Sequence, residues 1–341
     1  MTDEKKITSL ELQDYDLRLD YLCNNINEKG YKKIMLQFSD GLKKWATEIK
    51  NIIEKKTGAK VLISADSCYG ACDLPLFVEQ LDIDFIVQFG HSEIPNLKSS
   101  VPIVYIEAFS KLDVRSVVEK AIKNLKGTVG LITTAQHVHK LDEAKKIIES
   151  KGLKAEIGRG SSRIAHNGQV LGCNLSSATS ISNHVDCYLF IGSGNFHAVG
   201  VAMATDKPVV IADPYLNEVR EIEKIMGRLM RQRHGAITKA GNAQSFGILV
   251  GTKPGQKRTN LAFELKELIE KHDLKAYIFL LNEFTPMNLR TFEIDAYVST
   301  ACPRIAIDDY LMYNVPILTP MELRIALGEA NWEDYKFDEF I

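Results

Sequence analysis

The chain has 341 residues, 45% hydrophobic and 25% charged, which fits two or three globular domains and excludes disorder, collagen or coiled coil as a description of the whole. Its 42 basic and 44 acidic residues give a formal charge of −2, so no global field invites nucleic acid or an anionic membrane. No apolar run approaches the ~18 residues of a membrane helix, and the charged start MTDEKKITSLELQDYDLRLD is no secretory signal, so the expected location is cytoplasmic.

Taken in chain order, the predicted elements repeat. KKIMLQFSDG from Lys32 reads as a buried parallel strand, LKKWATEIKNIIEKK as an amphipathic helix, and AKVLISAD as a second strand. Ile83–Val87 then gives a third strand with Asp84 at its entry, and VPIVYI a fourth. The same order follows in GTVGLITTAQ, HKLDEAKKIIESKG, KAEIGRG, Val185–Leu189 and KPVVIAD. It follows again in SFGILVGTKPG, NLAFELKELIEKHD, KAYIFLLNE, Ile294–Val298 and VPILTP. The aspartates entering the third strands, Asp84, Asp186 and Asp295, stand 102 and 109 residues apart. Strands alternating with helices imply parallel sheets with right-handed crossovers. The reading is therefore α/β, with three similar domains related by internal repeat around a pseudo-threefold centre. Their spans are 1–112, 113–222 and 223–341.

Six cysteines are too few for a disulfide scaffold, and a cytosolic chain keeps them reduced. In open α/β sheets ligands gather at the loops leaving the carboxyl ends of strands. Cys72 and Cys173 each fall in a loop after the second strand of their unit, and Cys302 falls at the end of the third strand of the third unit. Cys23, on a polar amphipathic segment, and Cys187, in a strand, read as small buried hydrophobes. Three thiolates from three repeats suit a soft metal centre. The two readings are a zinc with a fourth ligand or water, and a cubane cluster with one iron left open. Cys68 is set aside in favour of Cys72, because Gly70 and Ala71 leave room for a cluster against the backbone.

Several motifs carry a family resemblance. They are YGACD (Tyr69 to Asp73), TTAQHVH (Thr133 to His139) and IGRGSSRIAHNGQVLGCN (Ile157 to Asn174), followed by FIGSGNFH (Phe190 to His197), ACPRIAIDDY (Ala301 to Tyr310) and VPILTPMEL (Val315 to Leu323). In this order the chain resembles the archaeal-type diphthamide biosynthesis enzymes, the 2-(3-amino-3-carboxypropyl)histidine synthases. The resemblance implies a homodimeric transferase in which Cys72, Cys173 and Cys302 hold a 4Fe–4S cluster. It implies S-adenosylmethionine as substrate, cleaved to a 3-amino-3-carboxypropyl radical, and a histidine of elongation factor 2 as the acceptor. An electron donor is required, and no motif names it.

Gln136, His137, Gly192, Ser193 and His197 lie in strand-end loops suited to S-adenosylmethionine, and Arg163 and Arg304 could grip its carboxylate as bidentate forks. The run from Gly192 echoes a dinucleotide loop but lacks the third glycine and the acidic partner. RLMRQRH (Arg228 to His234) reads as a solvated basic helix face. The acidic, aromatic tail NWEDYKFDEFI reads as a segment docked on a neighbouring domain. Competing functions on the same three-cysteine plan are a quinolinate-synthase-like dehydratase, a non-catalytic electron-relay subunit that binds the elongation factor, and a zinc-stapled binding module.

Overall fold

The computed structural model describes residues 14–75 and 78–340. The fold is α/β, with three mostly parallel sheets that share one strand order. In the first sheet Lys33–Phe38 lies between Lys60–Ile63 and Phe85–Phe89, and Ile103–Ile106 flanks the latter, all parallel. In the second, Thr128–Thr133 lies between Lys154–Glu156 and Cys187–Ile191, with Val209–Asp213 beyond. In the third, Ser245–Gly251 lies between Lys275–Leu281 and Ala296–Ser299, with Ile317–Leu318 beyond. Each sheet thus runs second, first, third, fourth in chain order.

Burial explains the arrangement. The central strands are mostly apolar and mostly buried; Phe85–Phe89 and Cys187–Ile191 are buried at every position, with Gln88 satisfied by Gln37. The second strands are edges, so Lys60–Ile63 and Lys275–Leu281 keep exposed residues among buried ones. Amphipathic helices close the faces; Ala46–Thr57 buries Ile49, Ile52 and Ile53 while its lysines face water. The helices Leu141–Ser150 and Thr259–Glu270 do the same for the other two sheets.

The third strands begin two residues later than Ile83, Val185 and Ile294, at Phe85, Cys187 and Ala296. The reason is the repeated aspartate. Asp84 accepts the backbone N–H groups of Lys32 and Lys33 at 2.8 and 3.1 Å. Asp186 accepts that of Thr128 at 2.8 Å. Asp295 accepts those of Gln244 and Ser245 at 3.0 and 2.9 Å, and the Ser245 hydroxyl at 2.8 Å. In each sheet this carboxylate satisfies the otherwise unpaired amino end of the first strand. The repeat's aspartate is therefore a fold clasp, far along the strand from any carboxyl-end site.

A second device recurs in two sheets. Gly130 is in register with Tyr188, and Gly247 with Tyr297. A Cβ at either glycine would meet the tyrosine ring at 2.5 Å. The two phenols donate to the carbonyls of Ala178 and Leu289. In the first sheet the corresponding pair is Met35 with Ile86, and no ring needs the space.

Two antiparallel pairings lie outside the sequence reading. Glu218–Glu221 adds a strand beside Val209–Asp213, and Tyr15–Asp16 pairs with Phe109–Ser110. The basic run is corrected too. It lies on the helix Glu223–Ala240, but Arg233 is wholly buried and not part of a solvated face. Its guanidinium forks onto Glu322 at 2.7 and 2.6 Å, which gives the buried charge a bidentate partner. Among the described residues no helix is long and apolar enough to cross a membrane.

Candidate active site

The carboxyl ends of all three sheets open onto one cavity of about 830 Å³. Ser39, Gly90 and His91 come from strand ends of the first sheet, and Thr134 to His137, Ser193, Gly194 and His197 from those of the second. Gln256, Cys302 and Arg304 come from the third. Cys72 and Cys173 also line it, so the three cysteines singled out by the repeat share one wall.

All six cysteines are free thiols. Burial pushes the Cys72 thiol well above its ordinary range, with the charges of Asp73, Cys173 and Cys302 adding to the effect. Burial, then Cys173, pushes Cys302 up to about 12. Burial also raises Cys173, against the Arg163 guanidinium, which favours its thiolate. The three sulfurs therefore feel one another's charge. All three thiols are thereby biased toward the protonated form. Gly255 makes room for one of them: a Cβ there would lie 2.5 Å from Cys72 Cβ. Gln256 Nε2 donates to Cys72 Sγ at 3.3 Å. Among the described residues no three His, Cys, Asp or Glu side chains converge as the ligands of a single ion would.

The other three cysteines lie elsewhere. Cys23 is on the buried face of the helix Leu19–Lys29. Cys187 opens its strand, with Sγ 3.4 Å from the Lys126 carbonyl. Cys68 is buried behind the cavity wall, 3.7 Å from His91 Nδ1.

The substrate-contact set is divided. Gln136, His137, Ser193, His197 and Arg304 line the cavity, whereas Gly192 and Arg163 do not. Gln136 spends its amide N–H groups on the carbonyls of Gly90 and Glu107, tying the second sheet's turn to the first sheet. His137 and His197 are both held neutral, down to about 4, chiefly by burial. His137 Nδ1 has no hydrogen-bond partner. Arg304 donates from Nε to Asp308 at 2.9 Å and lies over the Phe196 ring. Arg163 sits behind Cys173, donating to the Gly255 carbonyl at 3.3 Å.

A family model described as "Putative diphthamide synthesis protein" matches residues 38–336. The chain belongs to the diphthamide synthesis family. The 2-(3-amino-3-carboxypropyl)histidine synthase of Pyrococcus horikoshii is 38% identical to it over 324 residues, covering 94% of this chain and 92% of the relative. The synthase of Methanocaldococcus jannaschii is 28% identical over 357 residues, covering 98% and 95%. The crystal structure of Dph2 from Pyrococcus horikoshii with a 4Fe–4S cluster matches with a TM-score of 0.89 at 35% identity, over 96% of this chain and 95% of that one. As a member of this family the chain is an enzyme, a transferase of diphthamide biosynthesis.

Sequence reasoning missed residues that shape this cavity and brace its cysteine loops. Lys253, only 7% exposed, pairs with Asp73 at 2.9 Å and Glu283 at 2.7 Å, bracing the Cys72 loop against the third sheet. Asp213 accepts the backbone N–H groups of Tyr215 and Leu216 and pairs with Arg220, shaping the far end of the cavity. The partners of Lys253 stand 30 or more residues away, so no local pattern announces them. The one available signal was that Asp213 closes the apolar run KPVVIAD at a strand's carboxyl end.

Proposed function

We propose that this chain transfers the 3-amino-3-carboxypropyl group of S-adenosylmethionine to a histidine of elongation factor 2, the first step of diphthamide biosynthesis. The observation that carries the reading is the set of three half-buried thiols, one from each sheet, around one cavity. It is joined to family membership and to a close structural relative that holds a 4Fe–4S cluster. Cys72, Cys173 and Cys302 would hold such a cluster here. Three thiols on one cavity, with no Cβ at Gly255 to press on Cys72, leave room for a polynuclear group. Bound there, a reduced cluster supplies one electron and an open iron to a sulfonium substrate.

The chain's own residues then bind and orient. Arg304, braced by Asp308, offers its terminal nitrogens to the substrate carboxylate. Ser193 and the glycine-bearing turn around it let the backbone approach the adenosine. His197 and His137, neutral at pH 7, act as hydrogen-bond partners and not as cations. Tyr69 and Leu216, 62% and 61% exposed on the cavity wall, mark the mouth through which the protein histidine enters. In this reading the three units, 1–112, 113–222 and 223–341, surround the site about a pseudo-threefold centre. The enzyme works as a cytoplasmic homodimer.

The test is anaerobic purification with a visible spectrum and iron and sulfide analysis, then labelled S-adenosylmethionine, dithionite and elongation factor 2. Label on the factor, lost in Cys72→Ala, Cys173→Ala and Cys302→Ala but kept in Cys23→Ala and Cys187→Ala, is the expected result. A colourless zinc protein, or a cluster protein that leaves the factor unlabelled, would sink the proposal.

A further inference from the structure

The C-terminal tail connects two of the three cysteine loops. Phe337 packs edge-on to Phe196 at 6.0 Å, in the core beneath the second sheet. Asp338 accepts both terminal nitrogens of Arg258, at 2.9 and 2.5 Å. Glu339 accepts the backbone N–H of Leu175 at 2.7 Å. Phe340 donates its backbone N–H to the Cys173 carbonyl at 2.7 Å, and its own carbonyl accepts the Asn174 side-chain amide at 2.7 Å. Its ring lies under Arg258, 4.1 Å from the guanidinium carbon, and 5.4 Å from that of Arg163.

Arg258 has a second set of partners. Nε donates to the Thr300 carbonyl at 2.5 Å and a terminal nitrogen to that of Ala301 at 3.3 Å, directly ahead of Cys302. One guanidinium therefore grips the Cys302 loop with two donors and the tail with a bidentate ion pair, while the tail grips the Cys173 loop through backbone hydrogen bonds. The Arg258–Asp338 pair is largely out of water, with side chains 18% and 12% exposed. It is thus screened less than a surface pair.

We infer that residues 337–340 form a clasp that sets the separation of Cys173 and Cys302, with Arg258 and Asp338 as its positioning residues. Neither touches the substrate cavity, so they act through the cysteines. The inference rests on the cluster reading above. Partners of this kind, one shell behind metal ligands, commonly change metal affinity 10- to 100-fold when removed.

The test measures the rate at which the anaerobically purified holoenzyme loses iron to a chelator, well below its unfolding temperature. Arg258→Gln and the near-isosteric Asp338→Asn are expected to lose iron about 10- to 100-fold faster than the parent. Asp338→Glu, which restores the pair, should lie close to the parent. Lys336→Gln, in the same tail but outside the clasp, should not differ from it. A chain ending at Lys336 gives a second route to the same loss, and circular dichroism of each apo form checks that the fold is kept. Unchanged iron loss in Asp338→Asn and in the shortened chain overturns the clasp. So does equal acceleration in Lys336→Gln, which would mark a general tail effect. Cys302→Ala separates the two levels of inference. If it retains parental iron, the cluster assignment fails and the clasp fails with it; if it loses iron while the clasp variants hold theirs, the clasp alone is wrong.

Discussion

Arg233→Met tests how the Cys302 loop is held. Arg233 is wholly buried, and its guanidinium makes four short hydrogen bonds. Two go to Glu322, one to the Ala306 carbonyl at 2.6 Å and one to the Ile317 carbonyl at 2.7 Å. Methionine keeps much of the stem volume but leaves a buried carboxylate with no cation and two carbonyls with no donor. Removing one partner of a buried pair costs about 3–5 kcal/mol. Glu322 would keep only the Tyr335 hydroxyl at 2.7 Å and the Thr319 N–H at 2.8 Å. The double variant Arg233→Met/Glu322→Gln removes the stranded charge, so its cost should fall to about 1–3 kcal/mol, that of the unpaired carbonyls. Urea unfolding of the apo chain by fluorescence and circular dichroism is the assay, read as two-state where the probes coincide. A single-variant cost under about 1 kcal/mol, or a double variant as unstable as the single, would refute the reasoning. Ala306 lies in the short helix Arg304–Ile307 that follows Cys302, so the single variant should also bind less iron.

Gly255→Ala should keep the fold but lower iron content, because the new Cβ would lie 2.5 and 2.6 Å from Cys72 Cβ and Cα; iron analysis beside circular dichroism checks it. Gly235→Ala, inside the helix Glu223–Ala240 with nothing within 4 Å of the new Cβ, should leave iron unchanged and raise stability by about 0.5–1 kcal/mol in urea. Hydrogen bonds from the Ser245 hydroxyl, then from the Gln244 and Ser245 backbone, hold the Asp295 carboxyl below its ordinary range. Its stabilisation is therefore present above the ordinary aspartate pKa and fades as pH falls through the lower folded value. Asp295→Asn should lower the thermal midpoint at pH 7, with the gap to the parent closing in acid; a gap that persists or widens below about pH 3 would count against the clasp role.

The sheets are legible because their central strands are mostly apolar, and the order of elements repeats at a nearly fixed interval. What the pattern misplaced was the start of each third strand. Asp84, Asp186 and Asp295 look like strand residues by position, yet their carboxylates are turned back onto the first strand. The added strand Glu218–Glu221 could not be read from apolar alternation, since it is polar and pairs only at a sheet edge. Arg233 was misread for a related reason. A basic run on a helix is ordinarily solvated, and the carboxylate that buries this one stands 89 residues away.

The site divides along the same line. The three cavity cysteines are visible from sequence, because each sits in a strand-end loop of its own sheet. The residues that hold those loops against one another belong to the contacts between units. Lys253 beside the third sheet braces Asp73 of the first, Gln136 of the second ties to Gly90 of the first, and Arg258 is tied to the Cys173 backbone through the tail. A repeat copies what lies within each unit, and it carries no copy of such pairings. What sets the three thiols against one another is a few buried ions and amides, so under the proposed reading their loss should lower iron binding before it unfolds the chain.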